Sequence, residues 1–155
     1  MKKLFIIGIF SLITLSGSAQ VKNLKDLILL SELSVYELVE NLQYSWNLSQ
    51  PYQEFSDDKT EVTERHTYTF KTDVGTQVLQ HVITQNLNTS EINETTSFVY
   101  NDLNLLKLIK TQLTSLGFVK QKDSTYSDGR TTITLYEEAT DDIMLAKGYF
   151  MLLIE

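Results

Sequence analysis

NDLNLLKLIKTQLTSLGF, residues 101–118, is the stretch from which the fold can be read. Leu106, Ile109, Leu113 and Leu116 recur at spacings of three and four, which sets them on one face of an α-helix. Leu105 and Leu108 widen the stripe, while Lys107, Lys110, Thr111 and Thr114 fall largely elsewhere. Asn101 or Asp102 carries the side-chain oxygen that an N-cap needs. Gly117 stands where a left-handed residue stops a helix. A stripe this wide requires a sheet or another helix to cover it.

Outward from this helix the chain alternates between helical and strand patterns. Residues 23–33 read as a helix with Leu24, Leu27, Ile28 and Leu30 inward. Ser34-Val35-Tyr36-Glu37 matches a capping box, so a second short helix is expected, its face made by Val35, Leu38, Val39 and Leu42. Tyr44, Trp46 and Leu48 alternate as a first strand, followed by a polar connection over 50–60 that holds Pro51. Residues 62–70 alternate well, with Val62, His66, Tyr68 and Phe70 on one side. A turn at Asp73-Val74-Gly75 leads to a partner strand over 77–85, a polar loop over 86–93, and a third strand over 95–100.

After the organising helix, a strand over 118–124, a turn at Ser127-Asp128-Gly129 and a strand over 131–137 form an expected hairpin, since Asp-Gly favours such turns. An acidic loop over 138–142 precedes a last strand over 143–154, with a bulge or bend at Gly148. Residues 149–154 are apolar on both faces, which places them in the centre of a sheet. The expected fold class is α+β, an antiparallel sheet with helices packed on one face.

The 155 residues contain no cysteine, which removes disulfides, thiol catalysis and cysteine-held metal clusters. An apolar fraction of 42% suits one ordered domain. The formal charge is −7, which repels phosphate backbones and anionic lipid and favours a basic partner. Lys2 and Lys3 followed by an apolar run over 4–15 and the small residues Ser16-Gly17-Ser18-Ala19 read as a secretory leader, 1–19, cleaved between Ala19 and Gln20. The run is too short to span a bilayer, so no anchor is expected after cleavage. Loss of Lys2 and Lys3 takes the charge from −7 to −9. The domain is then 20–155, exported to the periplasm or the medium.

The two halves of this domain, 23–100 and 101–155, share an order of helix and strands. Thr67-Tyr68-Thr69-Phe70 parallels Thr132-Ile133-Thr134-Leu135, and Tyr44 parallels Phe118. The leader, LKDLILLSELS and a helix ending L-x-x-LGF before an Asp-Gly hairpin resemble small exported bacterial proteins of uncharacterised role. The doubled order resembles the β-lactamase-inhibitor-protein architecture, which implies a concave sheet that grips another protein. That family carries disulfides, from which this chain departs, and none of its contact residues transfers.

Candidate chemistry is sparse. His66 and His81 come to face each other if the turn at 73–75 joins their strands, which could seed a metal or acid–base site. A metal needs a third ligand, and Glu64 is the nearby candidate. Residues 123–129 fail the spacing of a calcium loop, because Asp128 occupies the glycine position and Thr134 the closing glutamate. No catalytic fingerprint or cofactor motif is present. Trp46 and Tyr68 are candidate aromatic anchors on a sheet face. The favoured reading is a non-catalytic binding module with a protein partner in the envelope or medium. A small periplasmic hydrolase and a structural envelope component are the alternatives. N-terminal sequencing of the exported product is expected to begin at Gln20; a retained Met1 contradicts the leader.

Overall fold

The computed structural model describes residues 20–73, 75–141 and 143–155. The leader with Ala19 lies outside the described residues, as do Val74 of the expected turn and Asp142 of the expected acidic loop. The described residues form three helices and a mostly antiparallel sheet of nine strands.

The helices begin and end where local chemistry dictates. Helix α1 (Leu24–Ser31) starts at Asn23, whose side chain accepts from the Asp26 N–H. Helix α2 (Val35–Leu42) starts on the capping box: the Glu37 carboxylate accepts from the Ser34 N–H at 2.9 Å, and the Ser34 hydroxyl accepts from the Glu37 N–H. Helix α3 (Leu103–Ser115) is capped by Asp102, which accepts from the N–H groups of Asn104 and Leu105. Gly117, at φ +89°, then closes a Schellman turn in which the Phe118 N–H reaches the Leu113 carbonyl at 3.0 Å. Leu105, Leu106, Ile109 and Leu113 are buried, but Leu108 is exposed, so the apolar stripe is narrower than the sequence implied.

Asn101, the alternative cap, does other work. Its side-chain oxygen accepts from the Thr76 N–H at 3.2 Å, and it lies so close to Gly75 that a Cβ there would run into the amide. The entrance to α3 is thereby docked on the start of a strand far away in sequence. A second clamp holds the beginning of the domain: the buried Gln77 amide accepts from the Val21 N–H and donates to the Val21 carbonyl.

The strands are β1 (Asn47–Leu48), β2 (Tyr52–Phe55), β3 (Glu61–Thr72), β4 (Gly75–Asn86), β5 (Ile92–Tyr100), β6 (Val119–Lys120), β7 (Thr125–Ser127), β8 (Thr132–Tyr136) and β9 (Phe150–Ile154). Their spatial order is β1-β3-β4-β5-β9-β8-β7-β6, with β2 also paired to β3. The apolar strand β9 lies between β5 and β8, at the sheet's interior as its two-faced hydrophobicity requires. Register aligns Tyr68, Leu79, Phe98, Leu152 and Leu135 across five strands. Residues directly opposite in antiparallel strands share a face. This row belongs to one core cluster with Leu24, Leu27, Leu38, Ile109 and Leu113 of the helices, and its face is here termed the inner face.

Several expected elements differ. The strand expected through Tyr44, Trp46 and Leu48 shrinks to two residues, because the Leu42 carbonyl accepts from both Ser45 and Trp46 and prolongs the helix end as a turn. Trp46 drops into the core and Tyr44 points to solvent. The polar connection over 50–60 contains strand β2, an edge strand with little burial and hence no alternation to read. The strand over 118–124 breaks after Lys120, with Asp123 at φ +49°. The last strand starts only at Phe150, and Gly148 at φ +82° lies before it rather than in a bulge within it. The Thr-rich segments read as parallel fall on β3 and β8, with β4, β5 and β9 between them.

Two phenols, Tyr68 and Tyr100, are buried without a hydrogen-bond partner for their hydroxyls. Burial pushes both above the ordinary tyrosine range, and at Tyr100 the Glu137 and Asp102 carboxylates push further. Their rings still contribute: Phe98 and Tyr100 stack at 5.0 Å, and Tyr100 meets Phe150 at 5.7 Å. The fold predicts that Leu152→Ala costs ~2–5 kcal/mol in chemical denaturation while Val119→Ala, at an exposed edge, costs less than ~0.5 kcal/mol. Equal losses would contradict the central placement of β9.

Candidate functional site

One end of the inner face is polar. Register places His66 opposite His81, His81 opposite Thr96, and Thr96 opposite Ile154. This row is two residues beyond the apolar row of Tyr68 and Phe98, on the same face. Two residues further out come Glu64, Ile83 and Glu94, again opposite one another. The expected histidine pair therefore exists as a cross-strand pair on β3 and β4, and Glu64 does lie beside it.

Each imidazole has a carboxylate. His66 Nε2 and Glu64 Oε1 are 2.5 Å apart, with His66 partly exposed. His81 is 1% exposed. Its Nδ1 lies 3.0 Å from the Thr96 hydroxyl, and Thr96 is itself buried. Glu94 Oε2 is 3.3 Å from His81 Nε2, but the approach is too oblique for a hydrogen bond, and Nε2 is left without one. Beside it opens a recess of about 170 Å³, bounded by Ser31 and Glu32 at the end of α1, by Arg130 and Thr131 of the β7–β8 turn, and by His81 and Glu94. Thr96, Ile154 and Glu155 complete the lining.

The arrangement limits the chemistry. Two carboxylates and two imidazoles lie close together, but among the described residues no three His, Asp or Glu side chains are set to hold a metal ion. Thr96, His81 and Glu94 lie in the order of nucleophile, base and acid. However, the Thr96 hydroxyl is buried in the middle of β5, whose backbone pairs on both sides with β4 and β9. The arrangement offers hydrogen-bonding groups and charge at the boundary of the core.

The other two anticipated site residues do not join this cluster. Trp46 is 3% exposed and packs on Phe70 at 5.5 Å between ring centroids, and Tyr68 is 1% exposed. Both rings fill the core and cannot meet a partner at the surface, which corrects their reading as anchors. Gln20, the residue after the expected cleavage point, lies far along the chain from His66 and His81 and lines a different recess, with Val21, Lys22 and Asn104. Glu94, Thr96 and Arg130 were missed. A signal for two of them exists, because alternation along β5 sets Glu94 and Thr96 in line with Phe98 and Tyr100. An acid in line with a buried aromatic stripe is an unusual neighbour.

The chain matches no protein-family model, no curated protein and no solved structure. The likeness to the inhibitor architecture consequently rests on element order alone.

Burial holds the His81 imidazole below its ordinary value of 6.5; Glu94 opposes this and His66 adds to it. Glu64 on β3, Glu32 at the end of α1, Arg130 on the β7–β8 turn and Glu155 after β9 are the other charged groups around it. The folded state binds this proton less readily than the unfolded chain, so stability is greatest above 6.5 and declines as pH falls toward the folded value. The urea midpoint is expected to drop between about pH 7.5 and 5.5, and to drop less in His81→Gln. A wild-type midpoint that is flat over this interval contradicts the assignment.

Proposed function

We propose that this chain is an exported, non-catalytic binding module that docks a basic protein on the outer end of its inner sheet face. In this reading the three helices pack on that face as parts of two tandem helix-plus-sheet units, and they stop short of its end. The observation that carries the proposal is the register row beyond the histidines: Phe55, Val62, Gln85 and Ile92 lie side by side across β2 to β5. Phe55 is 60% and Ile92 55% exposed, so large apolar side chains stand in solvent beyond the buried part of that face.

Charge selects the occupant. Over residues 55–64 and 83–94 the acidic side chains are Asp57, Asp58, Glu61, Glu64, Glu91 and Glu94, against Lys59 alone. An apolar patch rimmed by one sign of charge favours a partner of the opposite sign, and the rim governs the rate of encounter. The leader supports export, and the burial of the Thr96 hydroxyl argues against the hydrolase alternative.

The test is affinity capture from the source cells' envelope fraction, with the captured protein identified, purified and rebound. A basic protein that binds stoichiometrically, weakens with added salt, and loses about tenfold or more in affinity to a Phe55→Ser/Ile92→Ser variant supports the proposal. Both residues are exposed, so the variant is expected to keep its stability within ~0.5 kcal/mol per site. Undiminished binding by the variant, an acidic partner, or no partner overturns it.

A further inference from the structure

We infer that the outer face of the sheet is the contact surface of a homodimer, in which two copies of this chain pack sheet against sheet. This goes beyond the docking reading and stands without it, because it concerns the opposite face of the sheet.

Register defines the face. Thr69, Val78, Val99, Met151 and Tyr136 form one row across β3, β4, β5, β9 and β8. Each is one residue along its strand from the inner row of Tyr68 and Leu152, and successive side chains point to opposite faces. The next outer row holds Thr67, Gln80, Ser97, Leu153 and Thr134. Val78, Val99, Leu153 and Tyr136 are half-buried and Met151 is buried, so the centre of the face is apolar. Among the described residues, none on this face belongs to the buried core cluster that contains the leucines of the helices.

The absence of charge singles out a second copy as the occupant. Outer positions are even-numbered on β4 and β8 and odd-numbered on β5, β7 and β9, and none of them is Asp, Glu, Lys or Arg. Elsewhere charge is plentiful, with 13 basic and 20 acidic side chains among 155 residues. It returns at the margins of the face, as Arg65 of β3, ion-paired to Glu54 at 2.8 Å, and Glu155 just past β9. A two-fold contact sets one patch against itself, so a charge near the axis meets its own like. For a chain of formal charge −7, an uncharged face is where a second copy can approach at least electrostatic cost. A strongly charged partner gains nothing there.

Desolvation is eased as well, because polar groups on the face pair with one another. The Gln80 amide donates to the Thr67 hydroxyl at 3.2 Å, and the hydroxyls of Thr63 and Thr84 and of Thr125 and Thr134 lie 3.2 and 3.1 Å apart. Five strands, from β4 across to β7, make the face. At a spacing of ~4.8 Å between strands and ~6.7 Å between outward residues, it measures roughly 24 by 20 Å, so two copies bury about 1,000 Å², the lower end for a specific interface. Twisted sheets stack face to face at about −30°, and a contact of this size gives a reversible dimer.

Sedimentation equilibrium of the exported chain tests this. The expected result is a monomer–dimer equilibrium with a Kd on the order of 50 μM. Ser97→Lys, at the middle of the face, should weaken the dimer about tenfold or more, while Ser97→Gln should leave it within about twofold. Added salt should leave the dimer unchanged or tighten it, opposite to its effect on a basic partner at the acidic rim. A second readout needs no variant: NMR dilution of the ¹⁵N-labelled chain should shift the Val78, Ser97, Val99 and Leu153 amides and leave Gln85 and Ile92 in place. A monomer at every concentration up to about 500 μM, a dimer that Ser97→Lys leaves intact, or dilution shifts confined to Gln85 and Ile92 overturns the inference. A monomeric chain whose captured partner is lost in Ser97→Lys assigns the face to a different protein and overturns it too.

Discussion

Leu152 is opposite Phe98 on one side and opposite Leu135 on the other, and most of the architecture follows from that placement. Strand β9 is flanked by β5 and β8, so the strands before α3 and those after it become one sheet only through it. Phe150, Met151, Leu152 and Ile154 of this strand are all buried. The row through Tyr68, Leu79, Phe98, Leu152 and Leu135 belongs to one buried cluster with Leu24, Leu27, Leu38, Ile109 and Leu113. Register is strongly specified in such a sheet, because a slip of one residue would turn that row to solvent.

The same register explains why polar chemistry collects at one end. Along β5 the side chains pass from Tyr100 and Phe98, through the buried Thr96, to the exposed Glu94 and Ile92. Along β4 they pass from Leu79 through His81 to Ile83. The row of His81 and Thr96 is therefore the boundary where the shared core gives way to water. Groups at such a boundary feel both a low dielectric and nearby ions. An imidazole held there, between a hydroxyl and an oblique carboxylate, is poised by geometry rather than by a recognisable motif.

How much of this was legible depended on whether the determinant was local. The capping box at Ser34 and Glu37, the Gly117 stop and the Asp128-Gly129 turn are short-range hydrogen-bonding and dihedral signals, and each reads directly. The cross-strand histidine pair was legible because both flanking strands alternate and the connection is short. Strand β2 was not, since it leans on β3 at an edge and buries almost nothing. Tyr44 and Trp46 misled because alternation of aromatics also arises where a helix end unwinds and drops one ring inward. The recess was illegible altogether: Ser31, His81 and Arg130 come together only through the crossing of the chain between β5 and β9.

That crossing bears on how the molecule is made. A ribosome emits β5 long before β9, and α3 with three further strands must be synthesised in between. Until residues 150–154 arrive, β5 keeps an open edge of unpaired backbone groups. Closure of the sheet thus depends on a pairing of long sequence separation, and until it forms the chain stays incomplete and adhesive.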